Sequence, residues 1–473
     1  MTDTTTPPNV IFILADDMGF GDVACFGNDA LRTPSLDRMA RRGIALAQHY
    51  TASPICAPAR AGLLTGRYPH RTGAIDVPSN RGLDRIALDE TTLADAFKAG
   101  GYRTGMVGKW HNGLHDARYH PRARGFDEFV GFCNGGMDYY NWILDNNGAF
   151  IKNDGRYLTD VFTDEALGFI DRHQQAPFLL YLAYNAPHVP LQAPDDRIDY
   201  YRKMNRFTEE VCRTYAMIEI MDEGIGRILD KLETLQLMEN TLVVFSTDNG
   251  PVLLDGQNRY NGPFSGMKYQ VLEGGIRVPA IVQHPGKIPS GIVSEGYFHF
   301  CDWLPTLLSW CQLSHPGRKP LDGKDRSNDL MQPQSASAKP APGDAAFWQV
   351  NRYNPIFHHN GAMRNGNWKL YWPEVEGANF KDGTEDQPSY EFGLTRPQPI
   401  CDINPQMPAR PLGKPVHPKL FNLENDPAEN NDLATKEPER LAQMIGDYDR
   451  WFEEIMEDLQ KVGGPPPVNP PGL

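Results

Sequence analysis

The amino-acid sequence predicts an α/β fold: a large, mostly parallel central sheet flanked by helices, with a smaller C-terminal α+β subdomain. Two observations support this prediction. The first two-thirds of the chain alternate short apolar runs with longer helical patterns, as in parallel strands joined by helical crossovers. A stretch rich in Pro, Ser and Ala at residues 327–344 then ends this alternation. We therefore expect a main domain at residues 1–340, a subdomain at 345–460 and a flexible tail at 461–473.

Four strands of the main sheet can be located in chain order. They are Asn9–Ala15, Thr104–Val107, Phe178–Ala183 and Thr241–Ser246. Each is almost continuously apolar, as expected of strands that are buried on both faces. Between the last two, apolar residues from Val211 to Leu232 recur at helical spacing, which predicts a long amphipathic helix.

The subdomain shows a different pattern. Its predicted strands are Ala346–Val350, Trp368–Trp372 and Leu420–Leu423, and a closing helix is predicted near Pro438–Leu459. These elements indicate a small antiparallel sheet with one packing helix. The intervening segment Pro373–Lys419 is rich in Pro, Gly, Asn and Asp, which favours irregular structure.

Composition limits the classes of function. The chain has 473 residues, and its 46 basic residues against 60 acidic ones give a net charge of −14. This balance argues against a nucleic-acid surface, but it permits a local cationic pocket for an anionic substrate. No apolar run has the length of a membrane span. The polar start lacks the pattern of a secretory signal, and the seven scattered cysteines form no CxxC pair, so we expect a cytoplasmic protein without disulfides.

Polar residues follow each of the four buried strands. They are Asp16 and Asp17 after the first strand, Lys109 and His111 after the second, His188 after the third, and Asp248 and Asn249 after the fourth. In open α/β sheets, ligands bind at the carboxyl ends of the parallel strands. We therefore expect these groups to converge on one site at that edge of the sheet.

Three carboxylates and one amide oxygen of this set suit a hard cation. Asp16, Asp17, Asp248 and Asn249 offer only oxygen ligands, which Ca²⁺ and Mg²⁺ prefer and zinc or copper does not. The alternative is that these residues only cap helices or solvate turns. We favour the metal because two acidic pairs are expected to meet at the same edge.

A second signal is the pentapeptide Cys56-Ala57-Pro58-Ala59-Arg60, which is followed by LLTGR. Pro58 favours the first turn of a helix, so Cys56 would lie at the helix N-terminus, where an anion is stabilised. Arg60 would lie about one turn further on. A lone cysteine is more often a buried small residue, but that explanation leaves the joint spacing of Cys56, Pro58 and Arg60 unexplained.

The motif CxPxR with LTGR resembles the signature of the type I sulfatases, which belong to the alkaline phosphatase superfamily. Further segments resemble the same family and occur in family order: PNVIFILADDMGFGD, GKWH, NAPH, STDNG and GMKYQVLEGGIRVP. The resemblance covers most of residues 9–310, and FNLENDPAENNDLA near Phe421 is similar to the family's C-terminal subdomain. It implies an alkaline-phosphatase-like fold and hydrolysis of sulfate monoesters.

The resemblance also implies roles for individual residues. A maturation enzyme would oxidise Cys56 to formylglycine, and Asp16, Asp17, Asp248 and Asn249 would hold the metal together with residue 56. Calcium is favoured over magnesium. Arg60 would stabilise the hydrated aldehyde, whereas Lys109, His111, His188 and Lys268 would surround the sulfate and manage protons.

This chemistry agrees with elementary considerations. A sulfate monoester is anionic, so a metal and several cations must offset charge as a nucleophile attacks. One hydroxyl of an aldehyde hydrate attacks sulfur and gives a covalent sulfo-enzyme, and loss of the proton from the other hydroxyl then releases sulfate. We assign the base of that elimination to His111, and the leaving oxygen to Lys268 or His188.

The sequence says less about the rest of the substrate. Loops at the pocket mouth set such specificity, and the candidates are Asn134–Asn141, Trp142, His115 and the pair His358 and His359. Tyr139, Tyr140 and Trp142 either stack on a sugar or aryl ring or are packing residues. For His358 and His359, exposed loop positions are favoured over the pocket. A sulfated sugar or other small alkyl or aryl sulfate is the expected substrate.

Three rival interpretations stay open at this point. A phosphonate monoester or phosphodiester hydrolase of the same superfamily is the nearest, although the four residues Lys109, His111, His188 and Lys268 favour a sulfatase. A non-enzymatic relative is a second, but it would have lost a ligand or the nucleophile. In the third, no maturation enzyme is present and Cys56 stays a thiol. The oligomeric state is left open.

Overall fold

The computed structural model describes residues 7–114, 116–253, 258–334, 344–379 and 407–472. Its main sheet has ten strands in this part of the chain. They are β1 Asn9–Ala15, β2 Ile44–Tyr50, β3 Arg103–Lys109, β4 Glu128–Phe132, β5 Ile143–Asn146, β6 Ala149–Lys152, β7 Phe178–Ala183, β8 Thr241–Thr247, β9 Ala280–Gln283 and β10 Ile292–His299. Their spatial order is β10-β2-β9-β8-β1-β7-β3-β4-β5-β6.

The centre of this sheet is parallel, as predicted. Strand β1 pairs in parallel with β8 on one side and with β7 on the other, and β3 continues the parallel run from β7 to β4. Antiparallel pairing is found at β9, which lies between β2 and β8, and at the β4-β5-β6 edge. The four strands located from sequence are therefore neighbours, in the order β8-β1-β7-β3.

Helices cover both faces of the sheet. In the main domain they are α1 Pro34–Arg42, α2 Cys56–Thr65, α3 Pro69–Thr72, α4 Leu93–Ala99, α5 Leu158–His173, α6 Asp195–Arg202, α7 Glu209–Thr234, α8 Glu273–Ile276, α9 Trp303–Trp310 and α10 Ser327–Met331. Helices α1, α5, α6 and α7 pack in one core, and α2, α4 and α9 pack in the other. Strand β1 shows why its sequence is continuously apolar: Ile11 and Ile13 enter the first core, whereas Val10 and Phe12 enter the second.

The subdomain is a four-stranded antiparallel sheet with a long helix. Its elements are β11 Ala346–Gln349, β12 Gly361–Asn365, β13 Trp368–Trp372, β14 Lys419–Asn422 and α11 Pro438–Lys461. The three strands and the helix predicted from sequence are present within about two residues at each end. Strand β12 was missed, because GAMRN lacks the alternation of apolar and polar residues that marks a strand.

Some predictions concern residues that the structure does not describe. The domain boundary and half of the segment at 327–344 fall on residues 335–343, and most of Pro373–Lys419 falls on residues 380–406. In the tail, Val468 pairs with Ile356 in an isolated bridge. Within the described residues, no helix is long and apolar enough to cross a membrane, and the six described cysteines are all free.

A buried ionic cluster joins the two parts of the molecule. Lys369 of β13 contacts Glu273 of α8 at 3.0 Å and Glu429 at 2.8 Å, and none of these three side chains has appreciable exposure. Glu273 also accepts a hydrogen bond from the Tyr50 hydroxyl at 2.6 Å. Burial alone would raise the pKa of Glu273, but the charges of Lys369, Arg277 and Arg364 together outweigh it and lower that pKa to about 2. Lys369 thus contacts both buried carboxyl groups, and Arg277 adds a second cation 3.6 Å from Glu273.

We predict that Lys369→Met lowers the free energy of unfolding by about 3–5 kcal/mol, because it removes the cation that contacts the buried Glu429 and the nearer of the two cations that contact Glu273. Chemical denaturation of the purified variant measures this loss. The control is Arg38→Met, since Arg38 pairs with Asp230, whose side chain is 63% exposed, and such pairs contribute at most about 1 kcal/mol. Equal losses in the two variants would contradict the prediction.

Candidate active site

The carboxyl ends of the neighbouring strands β8, β1, β7 and β3 meet at one edge of the main sheet. The polar residues that follow them lie together there, namely Asp16, Asp17, Lys109, His111, His188, Asp248 and Asn249. Six of these are buried, and His188 is partly exposed. The convergence expected from sequence is therefore present in the fold.

Backbone hydrogen bonds fix the two aspartates after β1. The Asp16 N–H donates to the carbonyl of Ala186 at 3.0 Å, and the Asp17 N–H donates to Asp248 Oδ1 at 3.2 Å. Asp17 has φ of 64°, a left-handed conformation that non-glycine residues seldom adopt and that aspartate tolerates better than most. This turn directs both carboxylates to the same edge.

Helix α2 begins at Cys56, as the CxPxR spacing predicts. The Cys56 side chain is 2% exposed, and its Sγ lies 3.5 Å from Asp16 Oδ1, 3.9 Å from Asp17 Oδ1 and 3.2 Å from Lys268 Nζ. Burial raises the pKa of the Cys56 thiol to about 12, even though Lys109 and Lys268 oppose this. An unmodified Cys56 is therefore a neutral thiol at pH 7 and a poor nucleophile.

Three buried cations face the three buried carboxylates. They form the pairs Lys109 Nζ to Asp16 Oδ2 at 2.7 Å, Lys268 Nζ to Asp17 Oδ1 at 2.7 Å, and Arg60 Nη2 to Asp248 Oδ2 at 2.8 Å. Arg60 also donates from Nε to Asp248 and from Nη1 to the carbonyl of Lys109. Each charge is thus compensated, as buried charges must be.

These ion pairs have different effects on the pKa values of Asp17 and Asp248. Burial raises the pKa of Asp17, but Lys268, His188 and Lys109 together outweigh it, so the pKa falls below its usual range. Burial and the nearby charge of Asp16 raise the pKa of Asp248 to about 6, although Arg60 opposes this.

The two histidines differ in their contacts. His188 Nε2 lies 3.7 Å from Asp17 Oδ2, and its Nδ1 lies 2.7 Å from the carbonyl oxygen of Val189. His111 places Nε2 3.4 Å from the carbonyl oxygen of Val77, while its Nδ1 has no hydrogen-bond partner. Burial and the charge of Lys109 lower the pKa of both, to about 3 for His188 and well below the usual value for His111. Both imidazoles are therefore neutral at pH 7.

The donor set fits a divalent cation. One ligand atom each from Asp16, Asp17, Cys56 and His188 lies within 4.8 Å of the others. Asn249 supplies a further oxygen, since its Nδ2 donates to Asp17 Oδ1 at 2.8 Å and its buried Oδ1 has no partner. A buried amide oxygen without a donor is costly unless a cation or a water satisfies it. His188 is not predicted as a metal ligand from the sequence, because the position of NAPH in the chain does not indicate how far His188 lies from the aspartates.

The aromatic residues considered for substrate stacking differ in their exposure. Tyr139 and Trp142 are buried packing residues, with 0% and 1% exposure, whereas Tyr140 is 41% exposed. The hydroxyl of Tyr139 lies 2.7 Å from the carbonyl oxygen of Asn185 and 2.9 Å from that of His188. It therefore supports the loop that carries His188.

The two histidines of the subdomain are part of its packing, so neither of the two positions considered for them is correct. His359 is completely buried and accepts a hydrogen bond from the Val375 N–H at 2.8 Å. His358 stacks on Trp372 with ring centroids 3.7 Å apart and contacts Asp449 at 2.7 Å. His115 lies outside the described residues.

Comparisons with known proteins give consistent results. The family model described as "Sulfatase" matches residues 8–313. The chain is 36% identical to the N-acetylgalactosamine-6-sulfatase of Canis lupus familiaris, over 98% of this chain and 88% of that protein. It is 31% identical to arylsulfatase J of Mus musculus, over 92% of this chain and 74% of that protein. The crystal structure of Ps i-CgsB in complex with k-i-k-neocarrahexaose superimposes with a TM-score of 0.78 and 28% identity, covering 94% of this chain and 93% of that one.

We predict that Ca²⁺ stabilises the protein through the carboxylates at this edge. A cation at 100 times its Kd raises the free energy of unfolding by about 2.7 kcal/mol, and Asp17→Asn removes most of this gain because it deletes a charged ligand. Thermal unfolding with Ca²⁺, with Mg²⁺ and with chelator measures the gain for each protein.

Asp302→Asn is the matched control for this prediction. Asp302 is also a buried aspartate, but it pairs with Arg326. A gain from the cation that is as large in Asp17→Asn as in Asp302→Asn would place the cation elsewhere.

Proposed function

Because the chain belongs to the sulfatase family and is a sulfuric ester hydrolase, we propose that it removes sulfate from sulfated carbohydrates with a formylglycine made from Cys56. The observation that carries this proposal is the position of Cys56. Its side chain is buried at the start of α2, in contact with the acids after β1 and with Lys268. The nucleophile of a sulfate ester hydrolase must lie beside cations such as Lys268, because its target is anionic.

A divalent cation, for which we favour Ca²⁺, would be held by Asp16, Asp17, Asp248 and Asn249 together with residue 56. When bound, it supplies positive charge against which the anionic ester can be oriented. Asn249 Oδ1 and the carboxylates of Asp16 and Asp17 are the oxygens with the right chemistry for it. His188 is a further candidate, although its nitrogen is a softer ligand than Ca²⁺ prefers.

Formylglycine at position 56 would supply a hydrated aldehyde, one hydroxyl of which attacks sulfur while the other allows the sulfate to be released later. Arg60 holds Asp248 and the carbonyl of Lys109 from one side, so it keeps positive charge next to residue 56. Lys109 and Lys268 provide two more buried cations on the acids that flank this residue. Together they would offset the charge of the sulfate group.

Proton transfer would fall to His111, Lys268 and His188. His111 is held neutral by its burial, which is the form that a general base requires. Lys268 Nζ lies 3.2 Å from Cys56 Sγ, so it is placed to donate to the leaving oxygen. His188 shares Asp17 with Lys268 and would act beside it.

The substrate class is supported by the relatives. The similar protein of Canis lupus familiaris is an N-acetylgalactosamine-6-sulfatase, and Ps i-CgsB was crystallised with a neocarrahexaose. The exposed rings of Tyr140 and Tyr269, with 41% and 38% exposure, could stack on a sugar ring. A sulfated carbohydrate is therefore the substrate to test first.

We predict that the peptide containing Cys56, from protein purified from its native host, is lighter than its sequence mass by roughly 18 Da, the change set by conversion of cysteine to formylglycine. Intact-peptide mass spectrometry measures this. Cys56→Ala should lower turnover of sulfate esters by about 10⁴-fold or more, since it removes the nucleophile. Cys133→Ala, at another buried cysteine, serves as the control and should retain turnover. Full activity with unmodified Cys56 would contradict the mechanism.

We also predict a preference for sulfate over phosphate. Matched nitrophenyl sulfate, phosphate and phosphonate monoesters share one leaving group, so the ratio of their kcat/KM values reports only on the transferred group. We expect the sulfate ester to be cleaved at least about 10-fold faster. A preference for the phosphonate ester would instead support the related hydrolase activity of the same superfamily.

A further inference from the structure

Lys268 lies in a tight turn whose conformation is unusual. The Gln270 N–H donates to the carbonyl of Met267 at 3.0 Å, which closes a turn with Lys268 and Tyr269 at its centre. Tyr269 has φ of 73°, a left-handed value that is unfavourable for a bulky aromatic residue. Such a conformation persists only where the surroundings impose it.

Two backbone contacts of the main domain hold this turn on one side. The Lys268 N–H donates to the carbonyl of Pro251 at 2.9 Å, and the Tyr269 N–H donates to the carbonyl of Pro54 at 2.8 Å. Pro54 is two residues before Cys56, so the turn is tied to the segment that leads into α2. These contacts leave the carbonyl of Tyr269 and the N–H of Val271 to be satisfied.

A side chain of the subdomain satisfies both. Asn360 Nδ2 donates to the carbonyl of Tyr269 at 2.6 Å, and Asn360 Oδ1 accepts from the Val271 N–H at 3.3 Å. Asn360 is 1% exposed, and its own φ is 38°, which asparagine tolerates better than most residues. Its backbone is fixed as well, since its N–H donates to Pro373 and its carbonyl accepts from Val350.

Further subdomain contacts lie on either side of the turn. Ser265 donates to the carbonyl of Ala428 at 2.6 Å, and the Glu273 N–H donates to Glu429 at 2.6 Å. The segment that contains Lys268 is therefore attached to the subdomain before and after the turn as well as at the turn. At the turn itself, Asn360 holds the backbone of Tyr269, and the Arg352 guanidinium lies 5.6 Å from the centroid of its ring.

From these contacts we infer that Asn360 is a positioning residue: it holds Tyr269 in its left-handed conformation and thereby keeps Lys268 Nζ on Asp17 and residue 56. The inference rests on the proposed function, in which Lys268 donates to the leaving oxygen. The side-chain hydrogen bonds of Asn360 go to Tyr269 and Val271 and to none of the residues assigned to catalysis. Its loss should therefore affect the step in which the leaving group departs.

The test compares Asn360→Asp and Asn360→Gly with the wild type on a series of sulfate esters. Both substitutions tolerate positive φ. Aspartate can still accept from Val271 but cannot donate to Tyr269, whereas glycine loses both contacts. The series runs from nitrophenyl sulfate, a good leaving group, to a sugar 6-sulfate, a poor one, with kcat and KM measured for each.

We expect kcat for the sugar sulfate to fall about 10-fold or more in both variants, because small misplacements of a catalytic group are costly. We expect less than about a 3-fold fall for nitrophenyl sulfate, which needs little donation to its leaving oxygen. The dependence of log kcat on leaving-group pKa thus becomes steeper, a change that a general loss of stability does not produce.

Asn9→Asp is the matched control. Asn9 is a buried asparagine that likewise both donates and accepts, through Thr241 and Phe178, but it begins β1 at the end opposite to Asp16. In this variant kcat should change by the same factor for all esters. The inference is overturned if Asn360→Asp and Asn360→Gly also lower kcat by the same factor for all esters, or leave kcat unchanged. The proposed function would stand in that case. If the mature wild type cleaves no sulfate ester, the proposed function fails first.

Discussion

Three carboxylates in this site have lost contact with water, and their negative charge must be compensated. This requirement determines the arrangement of the site more than any other factor. Asp16, Asp17 and Asp248 are buried at one edge of the sheet, and ionised groups in such surroundings are tolerated only next to opposite charge. The cations that compensate them come from separate parts of the chain: Arg60 from α2, Lys109 from β3 and Lys268 from the turn before α8. Those elements are therefore fixed relative to the sheet by electrostatics as well as by packing. A bound divalent ion would make this otherwise balanced set positive, which favours an anionic ester.

The order of the strands explains how distant parts of the sequence supply these groups. Because β8, β1, β7 and β3 are neighbours and parallel, residues that follow them in sequence lie side by side in space. Helix α2 packs in the core on one face of the sheet, which places its first residue, Cys56, at the same edge. The catalytic arrangement is thus a consequence of topology and of where each strand ends.

Sequence reasoning succeeded where the signal is local and failed where burial is decided by distant contacts. The buried strand Asn9–Ala15 and the helix that begins at Cys56 follow from periodicity and from the spacing of Pro58. The burial of Tyr139 does not follow from such local signals, because an aromatic residue in a Gly-rich loop is equally compatible with exposure and with packing. Its burial depends on distant contacts, namely stacking on Tyr157 and hydrogen bonds to the loop that carries His188. The contact of Asn360 with the Lys268 turn joins residues about 90 positions apart, and no spacing rule reports it.

The attachment of that turn to Asn360 bears on how gene fragments of this family are interpreted. The family model ends at residue 313, and every residue assigned to metal binding or catalysis precedes that point. A truncated gene that stops there would therefore retain every motif that contributes one of these residues. It would nevertheless lack the partner that holds the strained turn at Tyr269, so motif content alone overstates the competence of shortened chains. Under the inference drawn for Asn360, substitutions in the C-terminal region can change the reaction rate without altering any residue assigned to metal binding or catalysis.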